Sequence, residues 1–159
     1  MKNTSILTYS IVSSLLTGCA SYYKLPDGLE SAQMSFRTNA RPVMVQAFSN
    51  ENCGSSSYGT RLAYIDPMFD SAGKHAGPTK IEAGKPLIFT LKKTTVPNFG
   101  GYTCGMTFKF TPEPGQEYVA SLYLDESTCR YSVKKVVGSR EESIPDLEKL
   151  PEVCYSNNA

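Results

Sequence analysis

Cysteine is the residue type with the most chemistry to offer in this 159-residue chain, and its spacing decides which chemistry that is. Cys53, Cys104, Cys129 and Cys154 are separated by 51, 25 and 25 positions. Structural metal sites draw on close pairs such as C-x2-C, often completed by histidine. No such pair occurs here, and the single histidine, His75, lies far from every cysteine. Oxidation into two disulfides is the reading that fits an exported chain, each contributing about 2–4 kcal/mol. Three pairings are open from sequence; the one favoured is Cys104–Cys129 with Cys53–Cys154.

Other reactive-looking groups lack their partners. Ser71-Ala72-Gly73-Lys74 fits S-x-x-K, which needs its serine and lysine one helical turn apart so that the amine can take the hydroxyl proton. Asp70, Gly73, Gly77 and Pro78 argue for a loop instead, and the S-D-N and K-T-G partners are absent. The serine-rich run Cys53 to Gly59 misses G-x-S-x-G, because Tyr58 stands where glycine is required. Asp66 and Asp70 offer too few oxygens for calcium. No phosphate loop, EF-hand or H-E-x-x-H is present. The expectation is a non-enzymatic protein with no cofactor and no metal.

The fifth cysteine belongs to a different context. Met1-Lys2-Asn3 is followed by a short apolar run, Ile6 to Leu16, that ends in Leu16-Thr17-Gly18-Cys19. The run is too short for a permanent span, which takes about 20 residues. The tetrapeptide resembles the bacterial lipobox. That resemblance implies cleavage before Cys19, a diacylglyceryl group on its thiol and acylation of its new amino group. An ordinary secretory signal cut after Ala20 remains the rival reading. Ala20 rather than aspartate after the cysteine implies, by the enteric sorting rule, the outer membrane of a Gram-negative envelope. One acyl chain holds only reversibly, whereas two or three make the anchor stable.

Residues 19–159 number 141, the length of one domain with its own core. Setting Lys2 aside leaves 15 basic and 15 acidic side chains, with no long runs of either sign. This balance gives no electrostatic footprint for nucleic acid or for an anionic membrane surface.

The elements that position these residues read as strands. Residues 20–39, with Pro26, Asp27 and Gly28, lack sustained periodicity and are expected to form a lipidated tether. Tyr22 and Tyr23 within it suit either the headgroup level or packing on the domain. Short strand patterns follow over residues 42–48, 61–65, 79–82, 87–91, 104–111, 118–124 and 130–137, with turn residues between them. Ser143 and Asp146 make a capping-box-like start to a short helix ended by Pro151. The expected fold is all-β: an antiparallel β-sandwich of about seven strands with a short C-terminal helix. The expected layout is a signal peptide over 1–18, a lipidated tether over 19–39 and the sandwich over 40–159.

Ala83-Gly84-Lys85, then Phe110, Pro112, Gly115 and Tyr118, follow a pattern found in small bacterial envelope lipoproteins. They resemble transthyretin-like or PEGA-like modules over residues 79–137. The resemblance implies a β-sandwich and brings no catalytic residues. Phe99, Gly100, Gly101 and Tyr102 make the connection before Cys104 a candidate partner-binding loop, although the two aromatics would equally plug the sandwich end. The functional expectation is an outer-membrane lipoprotein that docks a protein partner in an envelope assembly. The alternative is a ligand-binding or hydrolase-inhibiting lipoprotein.

Overall fold

The computed structural model describes residues 22–65, 75–93, 104–126 and 128–155. Cys19, the stretch holding Asp66 through Lys74, and the loop with Phe99, Gly100, Gly101 and Tyr102 lie outside the described residues.

Ten strands are described: β1 Ser31–Thr38, β2 Val43–Phe48, β3 Arg61–Ile65, β4 His75–Glu82, β5 Leu87–Lys93, β6 Cys104–Phe110, β7 Glu117–Asp125, β8 Thr128–Val137, β9 Arg140–Ser143 and β10 Glu148–Leu150. They form two five-stranded sheets, sheet I in the order β4-β1-β7-β8-β9 and sheet II in the order β10-β6-β5-β2-β3. The protein is therefore an all-β sandwich, with more strands than the sequence pattern suggested.

Alternation builds the core. In β1 the residues Ala32, Met34 and Phe36 turn inward, and in β7 Tyr118, Ala120 and Leu122 do the same. Sheet II answers with Val43, Val45, Phe89, Leu91, Phe108 and Phe110. Each Val, Leu, Met or Phe among them contributes about 1.5–3 kcal/mol on burial. Phe89 lies between Phe108 and Phe110, with ring centroids at 5.7 and 6.1 Å.

Three expectations change. Residues 31–38, assigned to the tether, form β1, which pairs with β4 on one side and β7 on the other. The alternation of Ala32, Met34 and Phe36 is a core-facing strand signal hidden behind a turn-rich approach. The sandwich is also not wholly antiparallel, because β1 runs parallel to β7.

The third change is at the C-terminus. No helix forms there; residues 144–147 make a turn, and β10 pairs with β6. Ile144 and Leu150 are both buried, which an extended chain achieves and a single exposed helical turn would not. The Asp146 carboxylate accepts from the Thr111 backbone N–H at 2.8 Å, rather than capping a helix.

Beyond β10 the chain crosses the outer face of sheet II as a strap. Cys154 is fully buried there, and its N–H donates to Thr107 Oγ1 at 2.8 Å. Gly105 permits the close approach, since a Cβ at that position would lie 2.7 Å from Val153. The strap explains why β2 is buried along its whole length: Phe48, with Ile88 and Leu150, packs into a second apolar cluster under Cys154.

Candidate functional site

The strand register defines two ends. Val43 pairs with both Ile65 and Lys93, and Lys93 pairs with Cys104. Arg37 pairs with His75, and Asp125 with Thr128. The strand termini that flank residues 39–42, 66–74, 94–103 and 126–127 therefore converge at one end. The four cysteines of the folded part pair as Cys53–Cys154 and Cys104–Cys129, with Cα separations of 5.1 and 6.0 Å. Cys104–Cys129 joins β6 of sheet II to β8 of sheet I at this loop end.

A groove of about 300 Å³ opens beside that disulfide, lined by Asn39, Tyr123, Leu124, Arg130 and Tyr131 among others. Asn39 follows β1 and uses its side-chain amide as a substitute peptide group. Its Nδ2 donates to the Leu124 carbonyl at 2.8 Å, and its Oδ1 accepts from the Leu124 N–H at 2.7 Å. Arg130 and Asp125 form an exposed ion pair at 2.6 Å, and Tyr123 is 41% exposed between them and Asn39. Tyr131 turns inward and reaches Phe108, and burial pushes its phenol above the ordinary range. The groove thus has a fixed backbone floor and an exposed tyrosine and arginine at its mouth.

The opposite end holds a smaller cleft of about 250 Å³, where the serine-rich run meets the Ala83–Pro86 turn. Lys85 Nζ lies 2.6 Å from the Glu82 carboxylate. A hydrogen bond to Glu82 raises the pKa of Tyr58, and another raises that of Lys85. Burial raises the pKa of Tyr23, whose hydroxyl oxygen accepts from the Glu82 N–H at 3.4 Å. The carboxylate is already paired by an ammonium and a phenol, so it is not a free general base.

The patterned residues named from sequence meet at this end too. The Gly84 N–H donates to the Pro112 carbonyl and the Gly115 N–H to the Ser31 carbonyl, each at 2.8 Å. Tyr118 folds back so that its hydroxyl oxygen accepts from Glu113 N–H at 2.9 Å. These hydrogen bonds build and pin the turns. Among the described residues, no group of three or more His, Cys, Asp or Glu side chains is placed to hold a metal ion.

Tyr123, Arg130 and Asn39 were not singled out by sequence. Tyr123 lies on the face of β7 opposite Tyr118, Ala120 and Leu122, and alternation of that kind signals exposure but not a groove. Neither family models nor curated proteins match this chain.

Proposed function

We propose that this protein is a non-enzymatic lipoprotein, anchored through Cys19 in the outer membrane, whose sandwich docks a protein partner of an envelope assembly at its loop end. The supporting observation is the groove at that end. Two of its lining residues, Asn39 and Leu124, are fixed by their amide pair, and Arg130 directly follows the bridged Cys129, while Tyr123 and Arg130 stay exposed. Tyrosine and arginine on a preorganised support are the residue types that dominate binding energy at protein interfaces. The candidate loop with Phe99 and Tyr102 is joined to the same end through Lys93 and Cys104.

Capture of a small molecule is less well supported. The cleft at Glu82 is below the usual 300–1,000 Å³ of ligand pockets, and its one carboxylate is occupied by Lys85 and Tyr58.

Photo-crosslinking in cells tests the docking surface. A benzophenone amino acid at position 123 or 102 should give one discrete adduct, identifiable by mass spectrometry. The same probe at position 137, at the far end of β8, should give none. Absence of an adduct at both loop-end positions, or equal labelling from position 137, would remove this surface from the proposal.

A further inference from the structure

The described part of the chain begins at Tyr22, three positions after the proposed anchor, and is tied to the domain from there. Tyr23 is buried, its N–H donates to the Arg61 carbonyl at 2.8 Å, and the Lys24 N–H donates to the Tyr58 carbonyl at 2.7 Å. Tyr22 forms a parallel bridge with Arg61, on the edge strand of sheet II. Only Ala20 and Ser21 separate Tyr22 from Cys19. Three extended residues reach at most about 11 Å. The headgroup layer of one leaflet is itself about 6 Å deep. A lipid on Cys19 would therefore hold Tyr22 at or just above the headgroups, with no slack for the domain to stand off.

The face beside that attachment has the chemistry of a bilayer interface. The Arg61 guanidinium lies 5.1 Å from the Tyr22 ring centroid and 5.8 Å from that of Tyr64. Tyr64, Met44 and Lys92 form one row across β3, β2 and β5. Lys92 Nζ in turn sits 3.3 Å from the centroid of the Tyr155 ring. Tyrosines, with an apolar ring and a polar tip, concentrate at the membrane–water boundary. Arginine and lysine beside them are attracted to anionic phosphates. Tyr22 is 62% exposed and Tyr64 39% exposed, so part of each side chain faces outward beside the anchor.

We propose that the outer face of sheet II around Tyr22, Arg61, Tyr64 and Lys92 lies against the phosphate and glycerol layer of the membrane, which fixes the orientation of the domain. This rests on lipid attachment at Cys19. The protein contains no tryptophan, so single-tryptophan reporters are clean. The full-length protein, made with its own leader, is extracted in detergent and its intact mass measured. It is then returned to vesicles of phosphatidylethanolamine and phosphatidylglycerol that carry a headgroup nitroxide quencher.

Tyr22→Trp and Tyr64→Trp should lose at least half of their emission, while Tyr123→Trp, on the outer face of sheet I, should lose almost none. Lys24→Trp serves as a second reporter near the anchor if the Tyr64 variant fails to fold. A lipid mass with equal quenching at all positions would overturn the orientation and leave the anchor standing. So would unquenched reporters near the anchor, the result expected if a protein covers this face instead. An unmodified Cys19 would overturn both.

Discussion

Tyr118 shows how one side chain closes a turn. Its ring packs 4.9 Å from Phe110, and its hydroxyl oxygen receives the Glu113 N–H, so the β6–β7 turn is pinned from inside. Gly115 completes the turn at φ +71°, where a side chain would be strained. Burial raises the phenol pKa of Tyr118 above its ordinary 10.0, as it does for Tyr23 and Tyr131. A phenol raised in this way keeps its proton in the folded chain at pH values where the unfolded chain has lost it. The stability it contributes is complete below about pH 10 and is lost as pH rises through the raised value. Urea unfolding midpoints should therefore fall between pH 8 and pH 11. Tyr118→Phe should fall less steeply, from a starting point about 1 kcal/mol lower because Glu113 N–H loses its partner. A parallel pair of curves would show that Tyr118 does not drive the fall. This turn was legible in sequence, since Pro112, Gly115 and Tyr118 act locally. Asn39 was not, because its partner Leu124 is 85 positions away.

At the scale of elements, the C-terminal strap is the part that sequence misread. Ser143, Asp146 and Pro151 carry the local marks of a short helix, and local marks were outweighed by tertiary packing. Ile144 joins the main core while Leu150 and Cys154 cluster with Phe48 and Ile88, and this burial outweighs what one helical turn could supply. The strap is held by the longer of the two disulfide loops, spanning 101 positions against 25. By loop-closure entropy, replacing both Cys53 and Cys154 by serine should destabilise the domain by about 4–5 kcal/mol, and replacing Cys104 and Cys129 by about 3.5 kcal/mol. Chemical denaturation checks the order. Only the first pair should also expose the Phe48–Ile88–Leu150 cluster and raise binding of a hydrophobic dye. Equal dye binding by the two pairs would mean that the strap stays in place without its disulfide.

For the whole molecule, alternation along strands made the all-β class readable, and the two layers follow from it. The sheet order was not readable, because it depends on pairings between distant segments. The parallel neighbourhood of β1 and β7 joins residues 33–38 to 117–122, and nothing near Ser31 announces it. The disulfides are nested as well: the Cys53–Cys154 loop encloses Cys104–Cys129. Under the export proposed above, from the N-terminus onward, this nesting sets a problem of timing. Of the four paired cysteines Cys53 arrives first, Cys104 second and Cys154, the true partner of Cys53, last, so an oxidant that joins these thiols in order of arrival makes Cys53–Cys104. Maturation should then depend on reshuffling as much as on oxidation. Refolding of the reduced domain with oxidant alone should accumulate a Cys53–Cys104 species, visible by peptide mapping, and a disulfide isomerase should speed the native pairing severalfold. Identical time courses with and without the isomerase would show that folding guides the thiols before any bond forms.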